Sequence, residues 1–277
     1  MSVLVCVAGD VMLDVLVLTE VPLLPDDDVA AQISLSAGGQ AANVAAWVRH
    51  LGGRARLYGP RTSDPVGTVL DAHLHARGID LYAVAGDSPA GAVVSLVAQG
   101  TRTMASDAGS PDWISDGLAD PSWLTGADWL HLSGYLLLRA PDPQVVIRAA
   151  SVARSLGARV SVDLASAGMI KTYGAERFWA FVEKIEPSVV FGNEGEWDVV
   201  GVAPASLSAE AVVKRGPLGS IFVVRGVQTS REIVPGPVVD VTGAGDALAA
   251  GYFVGGPEMA MVAAARCISQ TGAQPSM

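Results

Sequence analysis

The eleven residues Asp240-Val-Thr-Gly-Ala-Gly-Asp-Ala-Leu-Ala-Ala250 put two glycines and a carboxylate at the head of a small-residue helical run. Pro237-Val-Val-Asp240 before them reads as the end of a strand. The free backbone N–H groups of a helix start, with the helix dipole behind them, favour an anion. Gly243 and Gly245 let that backbone approach a phosphate closely. Asp246 would then stand on the first turn, beside the anion it repels. Taking the proton of an attacking hydroxyl is a reason for a carboxylate to be there. The plain alternative is an ordinary helix start with Asp246 complementing the dipole, and only the rest of the chain separates the two readings.

Upstream, short apolar runs alternate with helical patterns. Strands are expected at Val3 to Ala8, Ala55 to Tyr58, Trp129 to Leu132, Arg159 to Asp163, Ser188 to Phe191 and Ser220 to Val224. Helices are expected at Ala41 to Leu51, Val66 to Arg77, Pro143 to Leu156, Phe178 to Ile185 and Ser208 to Arg215. The alternation implies βαβ units and a mostly parallel sheet covered by helices. Two stretches, 11–36 and 92–104, read as strands without crossover helices and form a candidate small separate sheet, a lid or a dimerisation surface. Residues 1–277 are expected to make one domain.

Composition narrows the partners. The chain has 277 residues, half of them hydrophobic, and a net charge of −10, which argues against nucleic acid or an anionic membrane. Ala247 to Ala265 is apolar but interrupted by Gly255-Gly-Pro-Glu258, which reads as two helices and a turn rather than a membrane span. Cys6 and Cys267 lack metal-ligand spacing and are expected as reduced thiols in a cytoplasmic protein. The N-terminus lacks the basic region of a signal peptide.

Five segments in order resemble the ribokinase-like (PfkB) carbohydrate and nucleoside kinase family. They are Ala37-Gly-Gly-Gln-Ala-Ala-Asn43, Asn193-Glu-Gly-Glu196, Lys214-Arg-Gly-Pro-Leu-Gly219, Asp240-Val-Thr-Gly-Ala-Gly-Asp246 and Thr271-Gly-Ala-Gln-Pro-Ser276. The resemblance implies a three-layer α/β/α fold with a mostly parallel central sheet and a small β-sheet lid. It implies an ATP-dependent phosphotransferase acting on a primary alcohol of a sugar or nucleoside. Asp246 matches the family's base, and Gly243, Ala244 and Gly245 its anion hole. Asp14, Gly38, Gly39 and Asn43 match the sugar-holding positions. Asn193, Lys214, Gly216, Gly219 and Gly272 fall on the nucleotide side, and Glu196 on Mg²⁺, through water. Read without the family, Glu194 and Glu196 are equally an acidic first turn of a helix. Asp240 and Thr242 lie where several members bind a monovalent cation, so K⁺ activation is open, as is homodimerisation through the lid strands.

The chain also departs from ribokinases. Gln40 replaces Lys after Gly-Gly, His131-Leu-Ser-Gly134 lacks the acidic residue near the sugar, and Met12 replaces a polar residue. These changes argue against ribose itself. His131 reads more simply as a satisfied core or surface histidine than as a ligand, and Arg102 either meets an anionic substrate group or is a solvated turn residue. The competing function is a non-catalytic sugar or nucleoside sensor on the same fold, which would have no need of Asp246. A Rossmann oxidoreductase fails because no G-x-G-x-x-G follows the first strand.

Overall fold

The computed structural model describes residues 2–276 apart from Leu24, Ala83, Val84, Asp87 and Gly100, and leaves aside the side chains of Ala85 and Arg102. In chain order the first half contains β1 (Leu4–Ala8), β2 (Met12–Thr19), β3 (Ala31–Gly38), α1 (Gln40–His50), β4 (Arg54–Tyr58), β5 (Arg61–Thr62), α2 (Pro65–Ala76), β6 (Asp80–Tyr82), β7 (Ala85–Gly86), β8 (Gly91–Ala98), β9 (Thr101–Asp107) and α3 (Pro121–Leu124). The second half contains β10 (Trp129–Ser133), α4 (Gly134–Arg139), α5 (Gln144–Ser155), β11 (Arg159–Asp163), α6 (Ala167–Tyr173), α7 (Ala175–Ile185), β12 (Val189–Asn193), α8 (Glu194–Val200), β13 (Glu210–Lys214), β14 (Ser220–Val224), β15 (Val227–Arg231) and α9 (Ala244–Ile268).

Nine strands form the large sheet in the order β15-β14-β13-β12-β11-β10-β1-β4-β6. All pairs from β13 to β6 are parallel, while β14 and β15 return antiparallel. A strand buried on both faces needs apolar residues on both, and β1 (Leu-Val-Cys-Val-Ala) has them. Leu4, Cys6 and Ala8 enter one core with α4, α5 and α7, while Val5 and Val7 enter the other with α1, α2 and α9. The result is the expected three-layer arrangement of helices, sheet and helices. Small residues bring α1 and α9 close: Ala41, Ala42, Ala45, Ala247, Ala249 and Ala250 are all fully buried. Four more strands make a smaller sheet in the order β3-β2-β8-β9.

Two expectations fail. The segment 208–215 is not a helix: Glu210–Lys214 is strand β13, with Ala211, Val212 and Val213 all buried. Consecutive apolar residues that contact both faces demand a central strand, and this outweighs the helix propensity of Ala and Glu. Pro237 to Asp240 is not the end of a strand either. It is irregular and exposed, and it is held where the Val239 and Asp240 N–H groups donate to the Ile268 carbonyl at the end of α9. Without a neighbouring strand edge, its β-branched residues have no ladder to join. The break in the last helix is as expected: Gly255 and Gly256 leave helical geometry just before Pro257. By length and composition alone α9 would suit a membrane span, but the break divides it and over half of its apolar window is buried in the fold.

Candidate active site

The C-terminal ends of the parallel strands share one edge of the sheet, the usual ligand edge of an open α/β fold. Asp10 follows β1 there, Ser133 ends β10, Asp163 ends β11, Asn193 ends β12 and Lys214 ends β13. The head of α9 comes to the same edge. Gly243 is its N-cap, with φ 75 and no side-chain cap; the Ala244 N–H donates to the Val241 carbonyl at 3.4 Å, and among the described residues no side chain caps the N–H groups that follow. A Cβ on Gly243 would stand 2.7 Å from Ala273, so this position needs glycine both for its backbone and for its space. The loop before it is stapled: Asp240 accepts from Thr242 N at 2.9 Å and from Gly272 N at 3.0 Å. The Trp47 indole donates to the Ala273 carbonyl at 2.9 Å, which fixes the segment around Gly272 against α1.

Asn43, on α1, reaches Asp246: its Nδ2 donates to Oδ2 at 2.9 Å. The Asn43 Oδ1 is buried with no protein partner among the described residues. A buried orphan acceptor costs stability unless something donates to it, and a substrate hydroxyl would do so. Asp14, on β2, lies directly over Gly38, where a Cβ would collide with its carboxylate at 2.0 Å. Gly39 takes φ 90 and brings its backbone against that of Asp10 and Val11. Burial pushes the Asp246 carboxyl up to about 7. The Asn43 amide and Lys214 pull it down, while Asp163 and Asp14 add to the rise.

On the other side of the α9 head, Lys214 Nζ pairs with Asp163 Oδ2 at 2.7 Å. The same ammonium lies 3.3 Å from where a Cβ on Gly245 would be. Burial pushes the lysine down, but Asp163 and Glu196 outweigh it and hold it above the ordinary lysine value. Glu196 and Asn193 form a reciprocal capping box at the start of α8. Asn193 N donates to Glu196 Oε2 at 2.8 Å, Asn193 Nδ2 donates to Oε1 at 2.6 Å, and Glu196 N donates to Asn193 Oδ1 at 2.9 Å. The structural reading of Glu196 as a helix-start carboxylate is therefore correct in geometry, although the residue is buried rather than solvated. Gly216 and Gly219 turn the chain between β13 and β14 with φ 53 and 80, and a side chain on Gly219 would strike the Arg231 carbonyl.

Residues 3–274 match the pfkB family carbohydrate kinases. The chain belongs to that family. It is 26% identical to a fructokinase of Escherichia coli over 280 residues, which span 92% of this chain and 85% of that one. It is 28% identical to a fructokinase of Salmonella typhimurium over 271 residues, 91% of this chain and 84% of that one. Among solved structures, an adenosine kinase from Sinorhizobium meliloti superposes with a TM-score of 0.82 at 22% identity, covering 100% of this chain and 97% of that one. A ribokinase from Thermotoga maritima gives 0.77 at 19%, covering 98% and 95%. The structural likenesses establish a ribokinase-like fold.

This pfkB-family chain brings together most of the residues singled out from sequence, in two groups on either side of the α9 head. Asp14, Gly38, Gly39 and Asn43 stand toward Asp246, while Lys214 and Glu196 stand toward Gly245. His131 is a core residue, as read: it is fully buried, its Nδ1 is 2.9 Å from Ser161 Oγ, and burial pushes it down to about 4. The Arg102 side chain lies outside the described residues.

Three features of the kinase were missed in the sequence. Asp163 ends an apolar strand at the ligand edge, and a search for polar residues at the C-terminal end of every expected strand would have found it. Gln40, noted only as a departure, accepts a hydrogen bond from Ser133 Oγ. Arg139 pairs with Asp10 at 2.8 Å and donates to the Ala108 and Gly109 carbonyls at 2.9 and 2.7 Å. No sequence spacing links those four positions.

For a divalent ion, no group of three or more His, Cys, Asp or Glu side chains with ligand geometry exists among the described residues. Asp163 and Glu196 are the carboxylates at this edge on the nucleotide side, and both accept hydrogen bonds already. That donor set fits Mg²⁺ held by waters and phosphate oxygens, with carboxylates behind the waters, rather than an all-protein cage.

Proposed function

We propose that this chain is an ATP-dependent kinase that phosphorylates a primary hydroxyl of an uncharged sugar or nucleoside, with Asp246 as base. The observation that carries the reading is Asp246 itself: a carboxyl raised to about 7, joined to Asn43 and standing on the first turn of a helix whose N-terminus no side chain caps. A base with that value is poised to take and release a proton near neutrality. The backbone of Gly243, Ala244 and Gly245 is the anion hole.

On the acceptor side, Asp14 and the free Asn43 Oδ1 accept from sugar hydroxyls, while Gly38 and Gly39 leave the room for them. The guanidinium of Arg139 is taken by Asp10 and two carbonyls, so among the described residues no cation is left there for a sugar acid or sugar phosphate. Fructokinase relatives support a hexose, and nucleoside kinase neighbours share only the fold. On the donor side, Asn193, Lys214, Gly216, Gly219 and Gly272 flank the nucleotide. Glu196 would hold Mg²⁺ through water. The ion, when bound, neutralises phosphate charge. The acceptor proton passes to Asp246 as the new O–P bond forms, and the Asn43 amide keeps the carboxylate aimed. The smaller sheet is the lid, and a second copy covers its apolar outer face. ATP use and two buried thiols suit the cytoplasm. K⁺ at Asp240 and Thr242 stays a question for the assay.

The test is ATP consumption with Mg²⁺ across hexoses, pentoses, sugar acids and nucleosides, with and without K⁺. Turnover on a neutral acceptor that is lost in Asp246→Asn is expected. A preference for sugar acids would overturn the acceptor assignment, and binding without turnover would revive the sensor.

A further inference from the structure

The nucleotide edge carries a charge problem that one side chain answers. Asp163, Glu196, Asp246 and Asp14 are all near enough to act on one another or on Lys214. A triphosphate must approach those carboxylates, and Coulomb repulsion in a half-buried cleft is strong. Lys214 is the compensating cation. Its side chain is 16% exposed and that of Asp163 is 1% exposed, so the pair is built into the edge rather than laid on the surface.

The aim of the ammonium is fixed by its partner. Asp163 Oδ2 accepts from Lys214, and Oδ1 accepts from the Ala165 N–H at 3.0 Å. Ala165 adopts φ 71 as it donates, a left-handed conformation that a residue with a Cβ rarely takes. An ammonium has three N–H donors. Among the described residues Asp163 is the one hydrogen-bond acceptor of Nζ, which leaves two donors beside Gly245. Gly245 keeps that space open: a Cβ there would press on Nζ, Cδ and Cε of Lys214 at 3.3–3.8 Å.

Resting on the kinase reading above, we infer that Lys214 donates directly to the phosphoryl group in transit, and that Asp163 is the positioning residue that holds it aimed across the head of α9. As the acceptor oxygen bonds to phosphorus, its proton goes to Asp246. The bond from phosphorus to the bridging oxygen breaks with its electron pair staying on ADP. Lys214 keeps its proton throughout and follows the charge on the transferring oxygens.

The test compares ADP with the non-hydrolysable β,γ-imido analogue of ATP, by calorimetry at fixed Mg²⁺, in the wild type and in Lys214→Met, Lys214→Arg, Asp163→Asn and the double variant Asp163→Asn/Lys214→Met. The double variant removes both charges of the pair together and so guards against the misfolding that one abandoned partner would cause. Expected is a loss of at least about 10-fold in affinity for the analogue with ADP binding nearly unchanged, in both variants lacking the lysine. On the acceptor identified by the screen, kcat falls by about 100-fold or more while the acceptor KM holds, and Lys214→Arg recovers part of it. Equal losses for ADP and the analogue, or a double variant with wild-type kcat, would make the pair a structural ion pair and overturn the inference. So would an Asp163→Asn variant whose only change is a higher Mg²⁺ requirement, because Asp163 would then serve the metal. A wild-type protein that binds nucleotide but turns over no acceptor would instead defeat the kinase reading.

Discussion

Asn43 and Asp246 are 203 residues apart in the chain, and the amide of one donates to the carboxylate of the other at 2.9 Å. The contact crosses the interface between α1 and α9, which small residues allow to close. It joins the two segments that a sequence reading treats separately, one for the acceptor and one for the phosphoryl group.

A pH dependence follows from that contact. The carboxyl of Asp246 is raised to about 7 by burial, and the Asn43 amide counters the rise by favouring the ionised form. A base acts when ionised, so kcat/KM is expected to climb with pH through about 7 and then level off. Asn43→Ala removes a term that lowers the value, so the acidic limb moves to higher pH and the acceptor KM rises. An unmoved limb in the pH–rate profile would separate Asn43 from the base.

The same carboxylate loads the fold. A folded-state value above the unfolded one means that the stability is full below about pH 4 and declines as pH rises toward 7. Asp246→Asn keeps an acceptor for Asn43 and removes the charge. Its thermal midpoint is expected to exceed that of the wild type at pH 8 and to match it near pH 3.5, while turnover drops by about 10³-fold. Thermal scans at the two pH values, set beside the rate, check both halves.

Glu196 separates a cap from a metal role. Glu196→Gln can keep both directions of the capping box but turns an amide NH2 toward the Asn193 Nδ2 donor, whereas Glu196→Ala loses one direction and costs about 1 kcal/mol. If the carboxylate holds magnesium waters, the Gln variant stays folded and needs about tenfold or more Mg²⁺ for half-maximal rate. A normal Mg²⁺ titration in the Gln variant would leave Glu196 as a cap alone.

Two glycines two residues apart should behave differently. Gly243→Ala forces φ 75 on a Cβ that meets Ala273 at 2.7 Å, so the protein unfolds at lower denaturant. Gly245→Ala meets only the flexible end of Lys214 at 3.3 Å inside a helix, so stability holds or gains about 0.5 kcal/mol. Its methyl stands where the phosphoryl group would pass, and kcat is expected to fall. Urea titrations of the two variants, paired with turnover, would expose any failure of that split.

The lid bears on assembly. Across β3, β2 and β8, Leu35, Val15 and Val94 are cross-strand neighbours, as are Ile33, Val17 and Leu96. Ile33 is 65% exposed and Leu35 60%, an apolar sheet face without cover in the single chain. Leu35→Asp is expected to shift a dimer to monomer in sedimentation. A wild-type monomer at micromolar concentration would remove the dimer proposal.

What was legible in the sequence depended on how local the physics is. Strand β1 is readable because burial on both faces needs an unbroken apolar run. The end of α1 is readable because Gly52 takes φ 89. The segment 208–215 was misread because Ala, Glu, Val and Lys suit a helix as readily as a strand. Only the neighbours β12 and β14 make it a strand. Pro237 to Asp240 failed for the opposite reason: it has strand residues and no strand to pair with.

By itself the sequence determined the family, the alternating architecture and the placing of glycines and a carboxylate at the head of α9, since these rest on glycines, periodicity and motifs in order. The tertiary structure decided which groups act together. It raised the Asp246 carboxyl by burial, gave Asn43 to it and set Lys214 against Gly245 with Asp163 behind. Each of those facts is a distance between residues far apart in the chain, and such distances are fixed by packing rather than by local sequence.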